Sequence, residues 1–411
     1  MECRNCGEKL SLVVCDLVSA PFSNAYLSAA ELELPEIYYP LCLYVCNNCW
    51  LMQIEDFKKA NEIFGDDYRY YSSYSSVWLR HAEEYVKMIV PRLGLTRSSK
   101  VMEIASNDGY LLQYFKPLGI PCFGVDPAKG PAQNANKMGV ETIVSFFDSD
   151  FADELIHTKG LQDLIIGNNV LAHVPDINNF VAGLEKILSP HGTITMEFPH
   201  LLELIRDFQF DTIYHEHYFY LSLATVESVF KKHGLRIYNV EQFFTHGGSL
   251  RIYACHTDDS SHPTETSVEL LIMKERSAGL FKSQTYVKFQ KNVDTIRNRF
   301  LRFLLEQQTA GKRIVGYGAA AKGNTLLNFC GIKGTGLIEY VADASPFKQG
   351  FYLPGSRIPI VEPQRIFQDK PDFVIIFPWN IKDEIMKQLE DIREWGGKFV
   401  IPIPELEVID A

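Results

Sequence analysis

The sequence predicts an α/β protein built from three units: a small cysteine-bearing N-terminal unit, a central unit around a parallel sheet, and a smaller α/β unit at the C-terminus. Three observations carry this reading. Two Cys-x-x-Cys pairs lie near the N-terminus, strand-like and helix-like stretches alternate from residue 100, and the alternation pauses over a polar, helix-compatible stretch at 268–309 before restarting at 313. Short apolar strands alternating with helices indicate parallel strands covered on both faces. A chain of 411 residues exceeds one ordinary domain. The boundaries are expected to separate residues 1–66, 67–285 and 286–411.

Composition narrows the function classes. Hydrophobic residues make up 46% of the chain and charged residues 22%, the balance of a protein with a real core. The net charge of −11 argues against a nucleic-acid partner, because phosphate binding needs a basic face. No stretch has the ~18 consecutive apolar residues of a membrane span, and the first residues, Met1 to Cys6, lack an apolar signal core. A cytoplasmic location is expected, and a monomer is compatible with the sequence.

The elements follow in order. Residues 1–62 show little periodic structure; a tyrosine- and serine-rich stretch at 68–74 runs into a helical pattern ending before Pro91. Strands are expected at 101–105, 121–125, 161–167 and 192–198, with helices at 110–118 and 180–188. A helix at 219–233 and strands at 235–240 and 249–254 complete that sheet. The last unit begins with a strand at 313–317 and a helix at 319–329, followed by strands at 338–342 and 373–377.

Cys3, Cys6, Cys46 and Cys49 form the two pairs. In a reducing compartment this spacing suggests metal rather than disulfides. Two tight turns presenting two thiolates each complete the tetrahedron that Zn²⁺ prefers, and four protein ligands make the site structural. Cys42 is an alternative ligand with poorer spacing.

The loop Glu103-Ile104-Ala105-Ser106-Asn107-Asp108-Gly109 follows one strand and opens a helical pattern, and the next strand ends at Asp126. An acidic residue about 20 positions after such a loop pairs with ribose hydroxyls. This arrangement suits a dinucleotide or S-adenosylmethionine. Glu103 favours the latter: it can hold an ammonium group, whereas it would repel a pyrophosphate. Ala105 and Asn107 stand where the usual Glu/Asp-x-Gly-x-Gly-x-Gly pattern has glycine. Asn168, Asn169 and His173 follow the 161–167 strand, at the end where such sheets bind ligands.

Downstream, Tyr214-His215-Glu216-His217-Tyr218 concentrates groups suited to proton transfer. If extended, this segment faces Tyr214, Glu216 and Tyr218 one way and the two histidines the other. A packed polar network and a His-x-His metal site are the alternatives. In the C-terminal unit Gly316 and Gly318 permit a tight turn, Lys322 and Asn324 supply donors for phosphate, and Asp343 resembles the acidic tip of a nucleotide site. This reads as a second nucleotide-like pocket.

Six motifs in this order resemble the sugar C-methyltransferases that act on nucleotide-linked keto-deoxysugars. They are the two cysteine pairs, the tyrosines of 68–74, Glu-Ile-Ala-Ser-Asn-Asp-Gly at 103–109, Asn-x-x-x-His-Val-Pro at 169–175, Tyr-His-Glu-His at 214–217 and Gly-Tyr-Gly-Ala-Ala-Ala-Lys-Gly-Asn at 316–324. The resemblance implies a zinc-binding N-terminal domain, a central Rossmann-like S-adenosylmethionine methyltransferase domain and a C-terminal Rossmann-like domain that helps to hold a nucleotide-linked 4-keto-deoxysugar. It further implies His217 as general base, with Glu216, Tyr214 and His173 around the enolate oxygen. Tyr71, Glu103, Ala105, Asn107, Gly109, Asp126, Phe147, Asn168 and Asn169 would hold the methyl donor. Tyr74, Gly318, Lys322, Asn324 and Lys348 would hold the acceptor, with Tyr71 or Tyr74 closing the pocket. An O- or N-methyltransferase and a non-catalytic nucleotide-sugar binder are the alternatives.

Overall fold

Backbone hydrogen bonding in the computed structural model, which describes residues 1–59, 62, 65 and 70–410, gathers the strands into three sheets. The expected boundary at 66/67 and the first residues of the tyrosine-rich stretch, including Tyr68, lie outside the described residues.

The first sheet overturns the expectation of little periodic structure. It joins β1 (Leu12–Ala20), β2 (Tyr39–Val45) and β3 (Met52–Ile54) in antiparallel order, and its fourth strand is β9 (Phe219–Tyr220), from far along the chain. The signal was obscured because β1 slips register between Val13 and Cys15 and again between Asp16 and Ser19, with Val18 at φ 67. Each slip breaks the two-residue alternation by which a strand is read.

The second sheet has seven strands in the order β10 (Leu235–Phe243), β11 (Ser249–His256), β8 (Leu188–Pro199), β7 (Gln162–Asn168), β4 (Val101–Ile104), β5 (Cys122–Val125) and β6 (Thr142–Ile143). Strands β4 to β8 pair in parallel, and β10 and β11 form an antiparallel edge. The chain leaves β4 on one side for β5 and β6, then returns to the other side for β7 and β8. That reversal opens a crevice beyond the carboxyl ends of β4 and β7.

The third sheet runs β14 (Ile360–Val361), β13 (Val341–Ala342), β12 (Ile314–Tyr317), β15 (Phe373–Ile376) and β16 (Lys398–Ile401), all parallel, with β17 (Glu407–Asp410) antiparallel at the edge. The expected strand at 338–342 is reduced to β13.

Several element expectations need correction. Residues 110–118 form two 3₁₀ turns, Leu112–Tyr114 and Lys116–Leu118, rather than a helix; Pro117 lacks the N–H that an α-helix needs there. The helix Ser76–Leu93 passes through Pro91 and stops at Gly94, whose φ of 62 suits a left-handed cap. Residues 219–233 divide into β9 and the helix Leu223–Lys232, separated by Ser222, whose hydroxyl caps the helix by accepting from the Thr225 N–H. The expected boundary at 285/286 falls inside the helix Ser283–Val287.

One buried carboxyl joins this region together. Glu275, on the helix Thr266–Ser277, is fully buried. Its Oε1 accepts from His200 Nε2 at 2.8 Å and from the Leu223 N–H at 2.6 Å, and its Oε2 accepts from the Ala224 N–H at 3.0 Å. It thereby satisfies two of the orphan donors at the start of the helix Leu223–Lys232. Glu275→Ala strands those donors and His200 in the interior, and urea denaturation should show a loss of about 3 kcal/mol.

Candidate active site

A cavity of about 840 Å³ opens where the carboxyl ends of β4 and β7 meet segments from the other two sheets. Its wall includes Ala105, Asn107, Asp126, Phe147, Asn168 and Asn169 from the central unit, His173, Tyr214, Glu216 and His217, and Lys322 and Lys348 from the C-terminal unit. Residues from both ends of the expected site therefore share one space.

The backbone of the first loop explains its motif. Ala105 has φ 57 and Asn107 has φ 49, so the two positions that ordinarily hold glycine do require the left-handed region. Asn107 tolerates it, whereas Ala105 carries strain. Asn169 at φ 54 and His246 at φ 55 are also left-handed, so four of the nine such non-glycine residues among the described ones line this cavity. Clustering of this kind marks functional sites. Gly109, at φ 79, makes the turn behind the wall: a side chain there would meet Val140 Cβ at 3.1 Å.

Asp126 is held by two backbone donors, the Asn107 N–H to Oδ2 and the Ala128 N–H to Oδ1, both at 2.8 Å. Each oxygen keeps a lone pair for a hydroxyl, and burial pushes the carboxyl up to about 6. Glu103 lies under the loop and off the wall. It is completely buried with the Tyr110 hydroxyl beside it, so desolvation, opposed only by that hydroxyl, drives its pKa well above the usual range. A carboxyl buried with so little to balance its charge is costly unless a cation meets it. That fits a donor carrying an ammonium group.

Asn107 also anchors the tyrosine-rich segment. Its Oδ1 accepts from the Ser72 N–H at 2.8 Å, and its Nδ2 donates to the Tyr70 carbonyl at 3.1 Å. Among the described residues of this segment, the tyrosine on the cavity wall is Tyr70. Tyr71 instead stacks on Phe347 with centroids 4.9 Å apart, and Tyr74 meets both rings edge-on, outside the wall.

The Tyr-His-Glu-His segment is a turn, not an extended strand, because the His217 N–H closes onto the Tyr214 carbonyl at 3.0 Å. Tyr214 and His217 consequently face each other, reversing the expected alternation: the Tyr214 hydroxyl lies 2.9 Å from His217 Nε2. His217 Nδ1 lies 3.2 Å from the Thr212 carbonyl, which can only accept. The proton therefore sits on Nδ1, and Nε2 keeps its lone pair. Desolvation first, and then neighbouring His173, hold the His217 pKa well below 6.5. The His173 ring lies 4.6 Å away, and burial lowers its pKa to about 4. Glu216 accepts from Asn24 Nδ2 at both oxygens, 2.8 and 2.9 Å, while burial raises it to about 7. His215 turns to the Pro40 carbonyl at 3.1 Å and packs against Phe22, away from any metal arrangement with His217.

The C-terminal loop corrects the expectation of a second pocket. Asp343 Oδ2 accepts from the Ala319 N–H at 2.7 Å, and the Ala319 carbonyl accepts from the Tyr26 hydroxyl at 2.7 Å and from Lys348 Nζ at 2.8 Å. The loop is thus closed on itself, and only Ala320, Ala321 and Lys322 reach the shared cavity. Gly318 serves the turn, where a Cβ would strike Pro378 at 2.4 Å. Asn324 is spent on the Ser23 carbonyl at 2.6 Å. Lys322 is half-buried, over the Trp379 ring at 4.4 Å, and desolvation lowers its pKa to about 8 against the opposing pull of Asp211.

At the N-terminus the ligand atoms of Cys3, Cys6, Cys46 and Cys49 all lie within 4.8 Å of one another, with Cys3 and Cys49 sulfurs at 3.5 Å and Cys6 and Cys46 at 3.6 Å. These separations are far beyond a disulfide and fit four thiolates around one Zn²⁺. Cys42 lies outside the group. Two wall residues had weak or no sequence signal. His246 belongs to the run Thr-His-Gly-Gly at 245–248, whose paired glycines are its one local signal, and its Nε2 lies 3.1 Å from Asn169 Nδ2. Asn24 sits in a stretch with no periodicity at all.

Comparison with known proteins agrees with this layout. Three family models match in sequence: a zinc binding domain over residues 3–64, a methyltransferase domain over 78–240 and a C-methyltransferase C-terminal domain over 244–404. The chain is 36% identical over 410 residues to the C-methyltransferase NovU of Streptomyces niveus, covering 100% of this chain and 97% of that protein. Among solved structures, the PH0226 protein of Pyrococcus horikoshii OT3 aligns over 49% of this chain and 100% of its own at 17% identity and TM-score 0.37. The magnesium protoporphyrin IX methyltransferase of Synechocystis PCC 6803 aligns over 48% and 89% at 14% identity and TM-score 0.34.

The strain at Ala105 is testable. Ala105→Gly relieves about 1–2 kcal/mol of left-handed strain and adds about 0.5–1 kcal/mol of unfolded-chain entropy. The variant should gain about 0.5–1 kcal/mol in urea unfolding on balance.

Proposed function

The chain belongs to the S-adenosylmethionine-dependent C-methyltransferases, and from that premise we propose that it methylates a carbon beside the keto group of a nucleotide-linked deoxysugar, with His217 as general base. The observation that carries this reading is the fixed tautomer of His217. Its Nδ1–H is committed to the Thr212 carbonyl and its Nε2 lone pair faces the cavity next to the Tyr214 hydroxyl.

A carbon next to a ketone becomes a nucleophile only after losing a proton. His217 Nε2, unprotonated and on the cavity wall, is the group that takes it. The Tyr214 O–H, freed as Nε2 gains a proton, can turn to the developing enolate oxygen, and His173 and Glu216 border the same region. Glu216, poised near neutrality, presents either a carboxylate or a carboxylic O–H to the acceptor. S-adenosylmethionine, when bound, supplies a methyl group on a sulfonium. Ala105, Asn107, Asp126, Phe147, Asn168 and Asn169 would hold it, Asp126 by the ribose hydroxyls, with Glu103 beneath the loop as counter-charge for its ammonium group. Lys322 and Lys348 are the wall cations for the diphosphate of the acceptor, and their position in the shared cavity supports an acceptor that reaches from His217 to the C-terminal loop. Most of the rate enhancement then comes from position and electrostatics.

Incubation with a panel of nucleotide-linked 4-keto-deoxysugars and labelled donor, read by mass spectrometry, should show one methyl added at carbon. His217→Ala should abolish transfer while donor affinity, read by calorimetry, stays within about twofold; turnover at the wild-type rate would remove His217 as base. The pH profile offers a separate check. His217 is held well below its usual pKa, so an ionisation near pH 7, between those of Asp126 and Lys322, is expected from Glu216. It should vanish from the rate profile of Glu216→Gln.

A further inference from the structure

Between β1 and the rest of the zinc-bearing unit, residues 21–29 run as a strap between the other two units. Phe22 is buried, with its ring 5.0 Å from that of His215. The Ser23 carbonyl accepts from Asn324 Nδ2 at 2.6 Å, the Tyr26 hydroxyl donates to the Ala319 carbonyl at 2.7 Å, and Leu27 exchanges backbone bonds with Tyr352 at 3.0 and 2.8 Å. Within this strap Asn24 is the residue that reaches the cavity wall, and its side-chain amide faces both oxygens of Glu216.

We propose that Asn24 is a positioning residue of the acceptor site: its amide holds the Glu216 carboxyl aimed into the cavity, so that the zinc-bearing unit sets the geometry of the reaction centre. The inference rests on the Glu216 role given under Proposed function. Its geometry is specific. An amide nitrogen shared between two carboxyl oxygens at 2.8 and 2.9 Å lies near the axis of the carboxyl group and fixes the direction in which it points, which no other hydrogen bond to its oxygens among the described residues does. The same donor favours the ionised form of Glu216 and opposes burial. The other titratable groups beside Glu216 are Tyr26 from the strap, Tyr214 and Tyr218 from its own segment, and His173, whose ring faces the Glu216 backbone. None of these supplies a positive charge that would replace Asn24, because burial keeps His173 neutral.

The test uses the full chain with zinc retained. The infrared carboxyl band that disappears in Glu216→Gln reports the Glu216 titration without any acceptor. In Asn24→Ala that titration should move to higher pH, and methyl transfer to the accepted nucleotide-linked 4-keto-deoxysugar should fall at least tenfold with donor affinity unchanged. Asn24→Asp sets two carboxyls against each other and should lower the melting temperature. Adding Glu216→Gln restores an amide–carboxylate pair, and should restore the melting temperature but not the turnover. An unmoved titration with wild-type turnover in Asn24→Ala overturns the proposal, and so does full recovery of turnover in the double variant, which would make the contact purely structural. Glu216→Gln alone separates the two readings: if it turns over normally the Glu216 role fails, whereas an impaired Glu216→Gln beside an unimpaired Asn24→Ala removes only the role of Asn24.

Discussion

The pairing of β3 with β9 is the constraint on which the site depends. Met52 lies opposite Tyr220 and Gln53 opposite Phe219, so the zinc-bearing sheet ends on the two residues that follow Tyr218. The Ile54 N–H adds a bond to the Tyr218 carbonyl at 3.1 Å. Backbone ladders tolerate no slip without inverting every side chain. The turn at 214–217 is thereby pinned at one end by a sheet, and at the other by Thr325, whose hydroxyl donates to the Ile213 carbonyl at 3.0 Å. His217 is placed by both neighbours of the central unit as much as by the unit that carries it.

Much of this was legible in the sequence. The cysteine spacing led to four sulfurs within 4.8 Å, and the loop at 103–109 and the strand tips at Asp126 and Asn168 led to one crevice. What local patterns report well is the end of a strand and the chemistry of the residue there. The glycine positions taken by Ala105 and Asn107 were readable as departures, but their meaning, a left-handed backbone kept without glycine, needed the dihedral angles.

The misreadings share a physical origin. Titratable residues alternate over 214–217 as they would in an extended strand, yet a single 3.0 Å backbone bond makes the segment a turn and brings Tyr214 onto His217. Asp343 and Asn324 carry the right chemistry for a nucleotide, yet they are consumed by the Ala319 amide and the Ser23 carbonyl. Asn24 left no trace at all. Contacts between residues some 190 to 300 positions apart, such as Asn24 with Glu216 and Ser23 with Asn324, have no local periodicity to betray them.

The same β3–β9 pairing has a consequence for how the chain is made. A ribosome delivers the four cysteines early, and bound zinc could gather them at once, since a metal site forms as its ligands become available. The exposed edge of β3, however, has no partner until residue 220 has emerged. Through that interval an unpaired strand edge stands open to other chains, the condition under which nascent proteins associate wrongly. The N-terminal unit is thus synthesised well before the strand that completes it.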